Sequence, residues 1–194
     1  MIRRLTVITI LCFTVLVSAN TNFASAIAID PVIDSIDSEL SFSRFRKFFI
    51  GTVVNASDMS DSAVVGYTRI RRNLQAPLVS VPEPDIAVKR SLTNIFTSRE
   101  IIAEDISSAD FIVDVTIIKF QLNEEPKFLH RVMGSNIKME IKIINPSDKT
   151  VLHTFIIESY NERAAINTTR HAETILQDGI REVVKQILRR VTEL

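Results

Sequence analysis

Between residues 137 and 160 the chain spells out a β-hairpin. Ile137, Met139, Ile141 and Ile143 alternate with Lys138, Glu140 and Lys142, the run Asn145, Pro146, Ser147, Asp148 and Lys149 turns the chain, and Thr150 to Tyr160 follows. A two-residue period sends every apolar side chain to one face of a strand, and the turn is made of the residue types that adopt tight bends. This is the strongest hairpin signal in the sequence, and its apolar face must be covered. A cover is also legible. Leu176, Ile180, Val183, Val184, Ile187 and Val191 fall on one face of a helix, with Gln177, Arg181, Lys185 and Arg189 on another. Thr168 or Thr169 can cap it, and Glu173 near its start with Arg189 and Arg190 near its end agree with the macrodipole.

The rest of the chain supplies further strands and a second helix. Phe45 to Val54 is aromatic and β-branched and reads as a first strand, followed by a polar turn over Asn55 to Asp61. Asn55 to Pro84 is a long connection that contains a short edge strand over Val64 to Ile70, with Pro77, Pro82 and Pro84 holding the remainder extended or turned. Pro84 and Asp85 open a helix whose stripe is Val88, Leu92, Ile95 and Phe96. Ile101 to Ile106 reads equally as a short strand or as a frayed continuation of that helix. Asp110 to Leu122 alternates through Phe111, Val113, Val115 and Ile117 and then changes phase to Ile118, Phe120 and Leu122. Either a β-bulge or a strand covered on both faces produces such a change. Asn123 to Gly134 reads as a polar loop. No internal repeat or low-complexity tract occurs.

At the N-terminus, Arg3 and Arg4 precede an apolar run from Leu5 to Val17, and Ala24-Ser25-Ala26 and Ala26-Ile27-Ala28 follow it. This is the grammar of a secretory signal peptide. Polar Ser18, Asn20, Thr21 and Asn22 end the run well short of the roughly 20 residues a membrane span needs. Cys12 does not complete a lipobox, because Leu11 precedes it and Phe13 to Val17 continue the apolar run, so no outer-membrane lipid anchor is expected. The expected division is a signal peptide over 1–26, a leader or tether over 27–43 and one domain over 44–194. Cleavage removes Arg3, Arg4 and the single cysteine, leaving 21 basic against 23 acidic residues. A thiol-free chain suits an oxidising periplasm.

Composition narrows the function classes. Of 194 residues, 46% are hydrophobic and 24% charged, with 23 basic against 23 acidic. Such a chain is globular, and its neutrality speaks against a nucleic-acid binder. The four glycines, Gly51, Gly66, Gly134 and Gly179, are isolated, so neither a nucleophile elbow nor a phosphate-cradling loop can be written. His130, His153 and His171 are scattered and lack metal-ligand spacing. Adjacent Glu124 and Glu125 read as solvated loop residues. No metal, no cofactor and no enzymatic activity are therefore expected. The concentrated feature is Tyr67-Thr68-Arg69-Ile70-Arg71-Arg72, three arginines in four positions beside an aromatic. Guanidinium groups bind phosphate and carboxylate in bidentate fashion, so Tyr67, Arg69, Arg71 and Arg72 form the candidate site for an anionic envelope component, including peripheral contact with a membrane, or for an envelope protein. The plainer alternative is a charged edge that deters strand pairing.

Val65-Gly66 before a long loop, a helix around Ser91 to Phe96, a strand starting at Ala109-Asp110, the hairpin of Ile137 to Tyr160 and a closing helix over Ala172 to Leu188 occur in an order that resembles the YajG-like family of small bacterial cell-envelope proteins, mostly lipoproteins. The missing lipobox departs from that family, and the family has no established catalytic residues to carry over. The resulting expectation is an exported, periplasmic α+β domain. Its sheet is mainly antiparallel with four or five strands, and two helices pack on one face. Its expected function is that of a non-catalytic binding or assembly module. The alternatives are an auxiliary subunit of an envelope transporter and, from another class, a secreted hydrolase without recognisable motifs.

Overall fold

The computed structural model describes residues 24–29, 46–59, 61–71, 74–127, 131–165 and 168–193. Seven strands form one sheet: β1 (Ser25–Ala28), β2 (Phe48–Asn55), β3 (Val64–Arg71), β4 (Leu74–Val81), β5 (Phe111–Pro126), β6 (Arg131–Ile144) and β7 (Val151–Ala165). Among the described residues two α-helices, α1 (Pro84–Ser98) and α2 (Thr168–Thr192), accompany the sheet. The strand order is β1-β4-β3-β5-β6-β7, and β2 pairs with β5 beside that path. The fold is thus α+β as expected, but its sheet is larger and mixed. The pairs β3–β4, β5–β6 and β6–β7 are antiparallel, while β1–β4, β2–β5 and β3–β5 are parallel.

Two strands account for the higher count. β4 carries Pro77, a residue type that argues against a strand. Pro77 faces Tyr67 of β3 on one side, and the β1 ladder on the other side begins only at Leu78, so the missing N–H is not needed. β1 lies in the small-residue stretch read as a cleavage region. Ile27 and Ile29, assigned to the signal junction and leader, are instead core residues, and the Ile29 N–H donates to the Val81 carbonyl at 2.9 Å. Most of the remaining leader lies outside the described residues.

The phase change in β5 is a bulge: the β5–β6 register shifts between Ile117 and Lys119. Beyond it the strands run further than the apolar pattern. Asn123 to Pro126 and Arg131 to Gly134, read as loop, are paired ladder residues. The stretch 101–106 is neither strand nor helix continuation. Ile102 makes a lone bridge to Phe48, and a single 3-10 turn follows at Ile106–Ser108.

Both helices join one core. The hairpin residues Met133, Ile137, Met139, Ile141 and Ile143 are buried against the α2 stripe of Ile175, Leu176, Ile180, Val183, Val184, Ile187 and Leu188. Small side chains lie beneath α2: buried Ser135 donates from its hydroxyl to the Ile175 carbonyl at 3.3 Å, and Ser159 is buried beside it on β7. α1 packs on β2, where Phe48 meets Phe96 edge-on at 5.9 Å and Phe111 in a stack at 5.5 Å. α2 touches β6, β7 and also β1 at the far end of the strand order, so the sheet curls around it. No helix among the described residues is long and apolar enough to cross a membrane.

Two turns depend on ionised aspartates. Asp105 Oδ1 accepts from the Ser107 hydroxyl at 2.7 Å and the Ser108 N–H at 2.8 Å, and Asp148 Oδ1 accepts from the Thr150 N–H at 3.0 Å and its hydroxyl at 2.8 Å. These bonds hold both carboxyls below the ordinary aspartate value. A depressed folded value means that the support is complete above the unfolded pKa, about 3.9, and is lost as pH falls through the folded one. Amide resonances of Ser108 and Thr150 followed by NMR from pH 6 to 2 are expected to inflect below that reference. An inflection at or above it would contradict the assignment.

Candidate functional site: a cleft where β3, β5 and β6 leave the core

β5 places Val113, Val115, Ile117, Phe120 and Leu122 in the core, and the next two residues on that face are Glu124 and Pro126. Here the apolar row ends and a cleft of about 150 Å³ opens, lined by Tyr67, Arg69, Gln75, Glu124, Pro126 and Arg131. Strand alternation brings Tyr67 and Arg69 to the same side of β3, and Gln75 of β4 is directly opposite Arg69. Arg131 opens β6 opposite Pro126, diagonal to Glu124.

Glu124 is the hub. Its side chain is only 7% exposed, and three donors reach it from two strands. Oε2 accepts from the Thr68 hydroxyl at 2.8 Å and from the Arg69 backbone N–H at 3.2 Å, while Oε1 accepts from Arg131 Nη1 at 2.7 Å. A sheltered carboxylate with three donors is well compensated, and the groups it ties down are thereby fixed. The two guanidiniums outnumber the single carboxylate, so the cleft carries one excess positive charge. Each guanidinium has five N–H donors, enough for Arg131 to hold Glu124 and still serve an anion. Tyr67, 44% exposed, adds an aromatic wall and a hydroxyl.

Of the four site residues expected from the sequence, the structure brings Tyr67 and Arg69 to the cleft. Arg71 pairs through its backbone with Leu74, and Arg72 lies outside the described residues. Gln75, Glu124, Pro126 and Arg131 complete the lining and were missed. A signal existed in the period of β5: continuing Phe120 and Leu122 by two residues puts Glu124 on the inner face and Glu125 on the other. The adjacent acids are indeed separated, since Glu125 pairs with Lys127 at 2.8 Å, which holds its carboxyl below the ordinary glutamate value. His153 lies on β7 and His171 in the first turns of α2, while His130 is outside the described residues. Among the described residues no group of three or more histidine, cysteine or acidic side chains is placed to hold a metal ion.

No family model matches the chain, and no curated protein matches it. The YajG-like resemblance thus has no family match behind it. Solved structures do resemble the chain. The hypothetical protein CT253 from Chlamydia trachomatis is 6% identical, with 76% of this chain and 95% of that one covered and a TM-score of 0.47. A minor lipoprotein from Acinetobacter baumannii is 8% identical, covering 73% and 92%, with a TM-score of 0.42. Protein XCC0632 from Xanthomonas campestris, which carries the DUF330 family model, is 12% identical over 87% of this chain and 95% of that one, with a TM-score of 0.63. The chain shares the fold of that DUF330 protein.

Proposed function

We propose that the chain is an exported, non-catalytic binding or assembly module of a bacterial envelope, YajG-like in character. It receives the phosphate or carboxylate of an anionic envelope component in the cleft of Arg69 and Arg131. The observation that carries this reading is the arrangement around Glu124. One sheltered carboxylate positions the backbone of Arg69 and the guanidinium of Arg131 from different strands, beside the exposed ring of Tyr67. Preorganised donors bind an anion without the entropy cost of ordering loose side chains. The secretory grammar of the N-terminus supports the location.

A charge-assisted bond contributes about 1.5 to 3 kcal/mol where shielded and much less where exposed and screened. Both arginines are largely exposed, so the lower range applies. Arg69→Gln with Arg131→Gln is the informative variant, since glutamine leaves Glu124 a donor. Co-sedimentation with anionic liposomes and pull-down from envelope extract are expected to lose most recovery at low salt and less at physiological salt. The Arg69→Ala, Arg71→Ala, Arg72→Ala triple variant tests the β3 cluster separately. Equal recovery by folded variants would remove the binding role and leave the arginines as solvated charges on β3 and β6, since β3 lies between β4 and β5 and is not the edge strand that the sequence suggested. Recovery of transporter membrane components would make the module an auxiliary subunit.

A further inference from the structure

The edges of this sheet are treated unequally. The outer edge of β2 is occupied at its start: the Phe48 N–H donates to the Ile101 carbonyl at 2.8 Å and the Ala103 N–H to the Phe48 carbonyl at 2.9 Å. Further along, Lys89 Nζ reaches the Gly51 carbonyl at 3.3 Å. β1 is only four residues long. β7 is different: it runs for 15 residues, and among the described residues no strand pairs with its outer side. α2 covers the face that β6 and β7 share. Long edges are normally blunted by proline, lysine or a bulge. β7 has neither residue, its charged side chains Glu158, Glu162 and Arg163 are confined to its second half, where Glu158 pairs with Lys138 and Arg163 with Asp178, and its register irregularity is confined to the start, opposite Ile143 and Ile144.

The exposed face of this edge is patterned. Leu152, Ile156 and Tyr160 recur every four residues, and they are 44%, 58% and 62% exposed. Thr154 and Glu158 stand between them, and Glu158 is paired with Lys138 of β6 at 3.5 Å. The row is symmetric about Ile156. Antiparallel pairing of two copies about that residue sets Ile156 against Ile156, Leu152 against Tyr160 and Thr154 against Glu158. On the opposite face it sets Phe155 against Ile157 and His153 against Ser159. Apolar meets apolar, and no like charges meet along the ladder. Centring on Glu158 would oppose two carboxylates, and centring on Ile157 would oppose Ile156 to Glu158.

We propose that β7 pairs antiparallel with β7 of a second copy of this chain about a two-fold axis through Ile156, joining the two sheets edge to edge. Such an interface is isologous and closed, so assembly stops at the dimer. It is independent of the anion cleft, which lies at the far end of the strands.

The test uses the full chain in a Cys12→Ser background. Sedimentation equilibrium is expected to show a dimer, and Ile156→Lys, which sets two ammonium groups face to face, is expected to weaken it about tenfold or more. Ile156 is exposed in the single copy, so the variant should keep its circular dichroism spectrum and melting temperature. Ile156→Cys should cross-link to itself on mild oxidation, because directly opposed residues have Cβ atoms about 4.5–5.5 Å apart. Thr154→Cys alone should not, whereas Thr154→Cys with Glu158→Cys should. A monomer at all concentrations, as when the chain's own N-terminal segment covers the edge, overturns the proposal. So does a dimer indifferent to Ile156→Lys, or one in which the Thr154→Cys variant cross-links to itself and the Ile156→Cys variant does not.

Discussion

Replacing Ile180 and Ile187 together by alanine is expected to lower stability by about 4 to 10 kcal/mol, at about 2 to 5 kcal/mol for each truncated buried aliphatic. Both side chains are fully buried, on the α2 stripe that covers the β6 and β7 faces. They lie two turns apart on one helix, far enough for their effects to add. A domain of this size holds only about 5 to 15 kcal/mol in total, so the double variant should be unfolded or nearly so at room temperature. Thermal unfolding followed by far-ultraviolet circular dichroism measures this. A melting temperature near that of the parent would show that α2 lies outside the cooperative core.

Gly66→Ala is expected to cost about 1 to 3 kcal/mol, the range of overpacking, and to open the anion cleft at the same time. Gly66 makes the β3–β5 backbone pair with Leu122, and a methyl group built on it would land on the Leu122 carbonyl oxygen. That oxygen belongs to a central strand and cannot swing aside. β3 must therefore move away from β5, and with it the Thr68 and Arg69 donors that grip Glu124. Gly134→Ala is the control, since its methyl would meet Asn161 and Tyr160 at 3.4 Å, an ordinary contact. Similar stability for the two variants, or intact anion binding in Gly66→Ala, would contradict this account.

Apart from β3, the elements that sequence patterns revealed are the helices and the strands that share their core. There an inward position must be apolar, so Ile137 to Ile143 and the α2 stripe announce their period, and even the β5 bulge shows as a phase change at Ile117. Past Leu122 no helix demands apolar partners. Asn123, Glu124 and Glu125 therefore look like a loop although their backbone continues the ladder. β4 was hidden by Pro77, harmless because among the described residues no strand pairs with that residue on its β1 side. β1 was hidden because Ala24, Ser25 and Ala26 also write a cleavage site. The cleft was half legible for the same reason. Tyr67 and Arg69 stand out by local density, while Arg131 joins them through strand pairing and a carboxylate more than fifty positions along the chain from Thr68.

Contact between α2 and β1 also sets the order in which this chain can finish folding. The β5–β6–β7 meander is built from neighbours and can form early, but β1 must find β4, and β2 must find β5, across long intervals. The meander's row of Ile137, Met139, Ile141 and Ile143 has no lid until α2, which follows the meander in the chain, is synthesised and docks. Until then the core stays open on the side that α2 covers. For the exported molecule proposed here, that delay is an advantage: a polypeptide that must be threaded through a narrow secretion channel should not become compact before α2 is free to dock.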